Sequence, residues 1–449
     1  MHDQEELEVT VTALALTGFK AEQGRALPGY QERLANLSAE REALVRAMDS
    51  DPSGRKLPDY LRHSDSTDRA LIALPHPARA MNLSRLDIVA SLMFGAKVIT
   101  DIWGMTQVGA SMGEIMFYVE TNDSPEMEAF RRAAESNPSQ NRNLSATLHP
   151  IYHAFTSGSI MELRNSVVES LLNTDVSGDV PCRFLRSPMS SCYIEFGDKD
   201  MKMPLFVDNV ETGRHVLQGV YIIEREVSNM ATIEGSAAKL GINPDEPARI
   251  MDLMFVGRAK SNPLDDAVFH LSLYLQDDDM PVQEMIERHM RHYTSKELAS
   301  YRGLFSTSLG HRPNVSEVDV YSGYLMWMTK VMLYLNIASF RREVMNERTE
   351  LLKRISALGP KKAAKQARKI NTVYDRVVIG PAAEVENHLQ STAGDGERRH
   401  NRPHFRRGHI RMQAYGEQKS LRKPIFIQPL FVNKSGFGEA PAVKRYDVK

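Results

Sequence analysis

The most apolar stretch of the chain, residues 323–340, limits what the protein can fold into. Its sequence is GYLMWMTKVMLYLNIASF, which carries Lys330 and Asn336 inside it. A charge at the centre of a bilayer costs free energy, so Lys330 argues against a membrane span. Large apolar residues around Trp327 at helical spacing are typical of a protein core. The stretch therefore predicts a buried core helix in a soluble, cytoplasmic protein that has no membrane partner.

Chain length and cysteine usage narrow the class further. A chain of 449 residues exceeds the size at which a single hydrophobic core keeps growing, so we expect at least two domains. Its two cysteines, Cys182 and Cys192, cannot build a disulfide framework in so long a chain and indicate a reducing compartment. They also lack the second cysteine pair that a structural zinc site needs.

The first part of the chain has the pattern of helices. Apolar and charged residues recur at helical spacing over residues 29–48. At Ser124, a Ser-Pro-Glu sequence supplies an N-cap, a proline for the first helical position and an acidic side chain for the first turn. The polar residues 136–146, SNPSQNRNLSA, then predict a linker.

Beyond the linker the pattern changes to short apolar runs of strand length, among them CYIEF, HVLQGVYII, DLMFVG and VFHLSLYL. In the last run, residues 268–275, every second residue is apolar and the residues between are His270, Ser272 and Tyr274. This period of two predicts a half-buried antiparallel strand. The acidic residues 277–279 that follow predict the entry of a helix near Pro281 rather than a divalent-ion site.

Helices next to several strands whose sequence pattern is typical of antiparallel pairing favour an α+β fold. We predict a mostly helical N-terminal region over residues 1–145 and an α+β core domain over residues 146–350, in which helices pack on a mixed or antiparallel sheet. Residues 351–449 are predicted to form a basic connector and a C-terminal tail segment with one strand at 423–435, where Pro429 requires an edge position or a bulge. Nucleotide-binding, zinc-protease and serine-hydrolase motifs are absent, so no cofactor is expected.

Charge is distributed unevenly along the chain. The formal net charge is −1, but residues 351–449 contain 21 Lys and Arg against 8 Asp and Glu, a net charge of about +13. Residues 1–350 therefore carry about −14. An acidic body with a basic tail indicates a surface for nucleic acid or for another acidic partner.

The densest basic segment is residues 398–416, RRHNRPHFRRGHIRMQAYG, with six arginines, three histidines and no acidic residue. The histidines do not have metal-ligand spacing, because Pro403 and Gly408 interrupt any helix that would place them on one face. The guanidinium groups around them would also repel a metal cation, so no metal is expected. A metal-independent ribonuclease, with histidines as general acid and base and arginines on the phosphate, stays open although no diagnostic motif supports it.

Phosphate contact fits this composition best. Arginine binds phosphate oxygens through two donors at once, and aromatic rings such as Tyr415 stack on unpaired bases. A second group of cations follows residues 361–369 with roughly helical spacing. The alternative interpretation is that these cations form a basic surface that is exposed to solvent and has no binding function. The predicted nucleic-acid-binding residues are Arg398, Arg399, Arg402, His404, Phe405, Arg406, Arg407, His409, Arg411, Lys361, Lys362, Lys365, Arg368 and Lys369.

The tail sequence NRPHFRRGHIR, followed by a strand that ends in FVNKS, resembles the C-terminus of a known protein family. This is the second named family of type V-A anti-CRISPR proteins, which phages and mobile elements encode. Similarity in the same order extends back through PCRFLRSPMSSCYIEF, GVYII, VFHLSLYL and YLMWM, and so covers roughly residues 150–435. The matched tail positions are Asn401, Arg402, Pro403, His404, Arg406, Arg407, Gly408 and His409.

The resemblance implies a protein of the host bacterial cytoplasm that lowers the amount of the type V-A CRISPR nuclease. It implies recognition of the nuclease's nascent N-terminal polypeptide during translation and loss of the nuclease mRNA, which favours a non-enzymatic role. The implied partners are that peptide and the mRNA or the ribosome. Two alternatives remain: a nucleic-acid-binding regulator of other phage or plasmid genes, and a metal-independent ribonuclease.

Overall fold

The structure of the chain is a computed structural model. It describes residues 18–51, 74–84, 86–136, 142–196, 205–206, 215–227, 240, 242–243, 246–259, 266–294, 318–337, 342–367, 369–380 and 404–432. The predicted site residues Arg368, Arg398, Arg399 and Arg402 lie outside the described residues.

Helices dominate the described chain before the first strand and flank the strands after it. Residues 18–25 are helical. The remaining α-helices are α1 Tyr30–Ser50, α2 His76–Ser84, α3 Leu86–Phe94, α4 Ala96–Gln107, α5 Met112–Thr121, α6 Pro125–Ser136, α7 Arg142–Phe155, α8 Asn165–Leu172, α9 Val282–Tyr293, α10 Val318–Asn336, α11 Glu347–Ser356 and α12 Pro360–Ala367. The predicted helical character of the N-terminal region is confirmed for the described residues.

Two local predictions in this region have different outcomes. α6 begins at Pro125 as expected, and the backbone N–H of Met127 donates to the Ser124 hydroxyl at 3.4 Å. The linker predicted for residues 136–146 was wrong at both ends, because Ser136 is the last residue of α6 and Arg142 is already part of α7. An amphipathic helix that is stabilised by packing continues through polar residues at its start, which local composition does not reveal.

The strands are β1 Ser159–Leu163, β2 Thr174–Val176, β3 Ser191–Glu195, β4 Leu205–Phe206, β5 His215–Val227, β6 Ala248–Ala259, β7 Asp266–Leu275, β8 Arg342–Met345, β9 Arg376–Ile379, β10 His404–Arg406, β11 Gly408–Tyr415, β12 Leu421–Ile427 and β13 Leu430–Val432. The predicted C-terminal strand is divided into β12 and β13, and Pro429 lies between them, where its missing N–H breaks no ladder.

The main sheet has the strand order β7-β6-β5-β3-β1-β9-β8, and β4 pairs with β5. β1 pairs in parallel with β3 and with β9, whereas the pairs β3–β5, β5–β6, β6–β7 and β8–β9 are antiparallel. The sheet is therefore mixed, and the α+β prediction is confirmed. β8 and β9 pair although they lie on either side of the domain boundary proposed at residue 350, and that boundary stays a prediction.

One face of the main sheet forms the larger apolar core. Alternate residues of β5, β6 and β7 pack there against α8, α9 and α10. Trp327 of α10 is 5% exposed, and its ring meets that of Phe196 edge to face at 5.6 Å. The apolar stretch around residues 323–340 therefore supplies a core helix, as predicted. Cys182 and Cys192 are free thiols buried in the same core.

The opposite face of the sheet is also buried, so the prediction of a half-buried β7 was wrong. Its strand pairing is antiparallel as expected, but His270, Ser272 and Tyr274 are only 6%, 4% and 5% exposed. α7 covers this face, and the ring of His149 meets that of His270 at 4.7 Å. Polar residues in the alternating positions therefore face a second layer of helices rather than solvent.

This polar layer contains buried hydrogen bonds between the N-terminal helices and the sheet. His76 of α2 lies 2.7 Å from the hydroxyl of Tyr221 through its Nδ1 atom. The guanidinium of Arg225 donates to the Tyr152 hydroxyl at 2.8 Å. The Ser272 hydroxyl donates to Asp252 at 2.6 Å within the sheet. Buried polar groups need such partners, so this face specifies how the helices lie on the sheet.

The N-terminal helices are held together by the fully buried carboxylate of Asp101 in α4. Arg25 donates two hydrogen bonds to it at 2.9 and 2.8 Å, Lys97 donates one at 2.8 Å, and the hydroxyls of Tyr30 and Tyr118 donate two more. Burial alone would raise the pKa of Asp101, but these donors together lower it below its ordinary value. The ionised carboxylate thus joins four helical segments: residues 18–25, α1, α4 and α5.

α3 and α4 meet at a bend of 120°. Gly95 lies between them with φ of +86°, a conformation that glycine adopts without strain. Among the described residues, no single helix has the length and apolarity to cross a membrane, and this bent pair reaches them only when its two helices are counted together.

We expect the protein to lose stability as pH falls from about 6.5 towards 4. Burial lowers the pKa of both His153 and His289 to about 4. Between those pH values the unfolded chain binds protons that the folded chain does not, so the free energy of unfolding decreases by at most about 3 kcal/mol per histidine. Urea unfolding at pH 7 and pH 4.5 measures the difference in the free energy of unfolding between the two pH values. The variant His153→Phe should show a smaller difference. An unchanged difference in that variant would show that His153 is not held neutral in the folded protein.

Asp101→Asn is expected to destabilise the protein by about 3 kcal/mol, because it leaves buried donors without a charged acceptor. The matched control is Glu42→Gln, which removes a carboxylate from the exposed Glu42–Arg46 pair of α1. That change should cost less than about 0.5 kcal/mol. Thermal and urea unfolding of the two variants measure the difference, and equal stability would contradict the central role of Asp101.

Candidate nucleic-acid interface

β11 and β12 form an antiparallel hairpin, residues 408–427, that we call the basic ribbon. Its turn contains Gly416, Gln418 and Lys419 with positive φ. The two strands stay in register from His409 opposite Ile427 to Tyr415 opposite Leu421. The ribbon therefore extends as a regular two-stranded structure from the body of the protein.

Backbone pairing attaches the base of the ribbon to the body. β11 continues in parallel with β2, and the N–H of Gly408 donates to the carbonyl of Asn173 at 2.9 Å. A side chain at position 408 would clash, since a Cβ there would lie 2.4 Å from the Thr174 hydroxyl. The glycine of the RRGH sequence is therefore required by the close approach of β2.

Apolar and ionic contacts fix the same junction. Ile410 is fully buried in the main core, and the ring of Phe426 meets that of Tyr334 of α10 at 5.3 Å. The guanidinium of Arg407 pairs with the Asp175 carboxylate at 3.3 Å. Lys330 of α10 also feels the charges of Asp175 and Arg407, and burial lowers its pKa. The ribbon is thus docked on α10 and β2 and not merely tethered.

The outward face of the ribbon is set by its cross-strand pairs, because residues directly opposite in an antiparallel pair share a face. On that face Gln413 is opposite Lys423, and Arg411 is opposite Ile425. Tyr415 is 41% exposed, and the Lys423 ammonium lies 5.2 Å from its ring centroid. This face presents cations beside an accessible aromatic ring, which suits phosphate and an unstacked base.

The predicted tail residues occupy different positions around this ribbon. Arg406, Arg407 and Arg411 are exposed, although Arg407 is partly neutralised by Asp175. His409 is half-buried on β11. His404 and Phe405 belong to β10, which pairs with β13 in a separate two-stranded sheet. The histidines of β10 and β11 therefore lie in different sheets.

The second predicted cluster lies on α12, an amphipathic but wholly unburied helix that packs on α11. Lys361, Lys362 and Lys365 are exposed along it, and Lys369 is exposed just after its end. This cluster and the basic ribbon stand on different elements, since α12 rests on α11 and the ribbon rests on β2 and α10.

Sequence reasoning missed three cations of the ribbon, Lys419, Arg422 and Lys423, all of which are exposed. Lys423 was part of the predicted strand, but its position beside Tyr415 depends on the hairpin register. The glycine at 416 followed by polar residues was the signal for a turn that would have paired the two strands. Within the described residues, no group of three or more His, Cys, Asp and Glu side chains is placed to hold a metal ion.

Comparison with known proteins identifies the family. The model of the anti-CRISPR type V subtype A2 family (AcrVA2-like) matches residues 161–434. That span begins in β1 and ends after β13, so it includes the main sheet, α10 and the basic ribbon. Comparison with curated proteins and with solved structures gave no match. Because the matched span covers more than half of the 449 residues, the chain belongs to the anti-CRISPR type V subtype A2 family.

Proposed function

We propose that the protein lowers the amount of the type V-A CRISPR nuclease by recognising its N-terminal polypeptide during translation and causing loss of its mRNA. Membership of the family assigns anti-CRISPR activity against the type V-A system, which is exerted in the host cell. The nascent peptide, the message and the ribosome enter as proposed partners. In this proposal the body of the protein holds the peptide, and the basic ribbon contacts RNA.

The observation that best supports RNA contact is that the basic ribbon has an exposed outer face and a base fixed to the protein core. Arg411, Lys423 and Tyr415 reach solvent, while Ile410 and Phe426 on the other face hold the ribbon to the core. A preorganised surface spends less free energy on ordering its side chains when it binds. A solvated basic loop without function does not need such an anchor.

Single-stranded RNA suits this surface better than a duplex. Tyr415 offers a flat ring at the tip of the ribbon, and a base must be unpaired to stack on it. Arg411 supplies an exposed donor on the ribbon, and Arg406 supplies one on β10, which directly precedes the ribbon in the sequence. A message or an exposed loop of ribosomal RNA provides both phosphates and unpaired bases.

The charge of the remaining chain directs RNA to this side. Residues 1–350 carry about −14, which repels phosphate, whereas the tail attracts it. The exposed lysines of α12 add positive charge on a neighbouring part of the sequence. We propose that they extend the electrostatic attraction and that the ribbon provides the specific contacts.

Removal of two exposed cations should weaken RNA binding and its salt dependence. For Arg406→Gln with Arg411→Gln, the slope of log affinity against log salt for single-stranded RNA is expected to become shallower by about 1.4, since each phosphate contact contributes about 0.7. The matched control is Arg46→Gln with Arg132→Gln, which removes two exposed arginines from α1 and α6. Equal slopes in the two variants would contradict RNA contact by the ribbon and the adjoining β10.

The same purified proteins also test the ribonuclease alternative. Incubation with labelled RNA and no ribosomes is expected to leave the RNA intact. Cleavage that persists in chelator and is lost in His404→Ala or His409→Ala would instead assign a metal-independent ribonuclease to this chain.

In cells, the same two double variants should distinguish a loss of RNA contact from a general effect of reduced positive charge. With the type V-A nuclease expressed from an inducible promoter, the Arg406→Gln, Arg411→Gln variant should leave severalfold more nuclease mRNA than the wild-type protein does. The Arg46→Gln, Arg132→Gln variant should deplete the message normally. Quantitative reverse transcription measures both, and immunoblotting checks that the variants accumulate equally. Normal depletion by the Arg406→Gln, Arg411→Gln variant would refute this part of the proposal.

A further inference from the structure

A cavity opens at the edge of the main sheet where β7 ends. Its volume is about 410 Å³, within the usual size of ligand pockets. The floor is apolar: Leu240, Ile242, Leu275 and Met285 line it, and all four are buried. Met280 lies on the rim and is half-buried. Methionine side chains adapt to varied apolar shapes, so the floor accepts an aliphatic or aromatic group without a fixed outline.

Two exposed carboxylates stand on the rim, Glu246 and Asp277. Glu246 accepts a hydrogen bond from the Asn243 amide at 2.9 Å. Asp277 accepts from the backbone N–H groups of Asp279 and Met280 at 2.9 and 3.2 Å. Neither carboxylate has an ion-pair partner in the described part of the chain, so each keeps an uncompensated negative charge.

The neighbouring acidic side chains differ in this respect. Asp278 pairs with the buried guanidinium of Arg249 at 3.2 Å, and Asp279 pairs with Arg183. Their charges are compensated by the protein itself. The free negative charge of the acidic run at 277–279 is therefore concentrated on Asp277, the member that lines the cavity.

The basic side chains that line the cavity, Arg288 and His289, do not cancel its negative charge. Arg288 donates to the carbonyl of Leu240. His289 is neutral, because its Nε2 accepts from the Tyr274 N–H at 3.0 Å, which places its proton on Nδ1 towards the Met285 carbonyl at 2.9 Å. Burial also lowers the pKa of His289. One guanidinium thus faces two carboxylates, and the rim is negative overall.

We propose that this cavity binds a peptide segment in which a lysine or arginine adjoins an apolar side chain. The apolar group occupies the floor, and the cation pairs with Glu246 and Asp277, so that shape and charge are both matched. The inference rests on the proposed function, which requires a bound polypeptide, and it adds the location of the site and the chemistry of the segment. Nucleic acid is excluded by the sign of the rim.

Three fluorescent peptides provide the test with the full-length protein. Each carries one pair, Leu–Lys, Leu–Gln or Leu–Glu, within the same neutral Gly–Ser background, and fluorescence anisotropy measures its affinity. We expect the Leu–Lys peptide to bind most tightly. The isosteric double variant Glu246→Gln, Asp277→Asn should weaken that peptide about tenfold and leave the Leu–Gln peptide unchanged, since it removes charge but keeps hydrogen-bonding groups.

Two further variants separate this effect from folding and from bulk charge. Met280→Trp fills the cavity from its half-buried rim and should weaken all three peptides without altering charge. Glu42→Gln with Glu128→Gln removes the same charge from exposed positions of α1 and α6 and should change nothing. The inference is overturned if the Leu–Lys peptide does not bind, binds no more tightly than the Leu–Glu peptide, or is insensitive to both cavity variants.

The message assay distinguishes failure of this site from failure of the proposed function. If the wild-type protein and Met280→Trp deplete the nuclease mRNA equally, the cavity is not the peptide site, while the proposed function stands. If the wild-type protein leaves the message intact, the proposed function fails, and the peptide titration alone decides whether the cavity binds basic peptides.

Discussion

β5, β6 and β7 lie side by side in a sheet that is buried on both faces, so successive residues of each strand must match two different surroundings. One face is apolar and packs on α10, while the other carries His270, Ser272 and Tyr221 beneath the N-terminal helices. On the polar face, buried side chains require hydrogen-bond partners, and α2 and α7 supply them to Tyr221 and Arg225. This requirement positions the helical layer, and the apolar face in turn leaves α10 fixed beneath the basic ribbon.

The docking of the ribbon follows from the same core helix. Lys330, whose charge argued against a membrane span, lies in α10 near Asp175, the residue that also pairs with Arg407. Gly408 allows β11 to approach β2, and Ile410 continues the apolar core beyond the main sheet. The exposed cations of the ribbon are therefore carried by a structure whose inner side belongs to the body. At the far end of β7, the cavity combines an apolar floor with carboxylates, so the exposed cations of the ribbon and the free carboxylates of the cavity belong to different elements.

Structural features that depend on residues close together in the sequence were predictable. The core helix around Trp327, the cap at Ser124 and the antiparallel pairing of β7 all follow from local spacing. The burial of His270 did not, because period two gives the alternation of faces but not what covers the polar one. Lys423 beside Tyr415 and the cavity between Glu246 and Asp277 arise from pairing between distant segments. Arg368, Arg398, Arg399 and Arg402 lie outside the described residues, and nucleic-acid binding stays a prediction for all the tail and connector residues.

The central claim is that the nascent peptide, and not the nucleotide sequence, marks the nuclease message for loss. Its most direct test is the level of nuclease mRNA, measured with and without this protein, for two recoded versions of the N-terminal codons. One version changes the codons but keeps the amino acids, and the other changes the amino acids with few nucleotide changes. The account predicts that the first message is depleted and the second is spared. Depletion of the second message, or survival of the first, would contradict it.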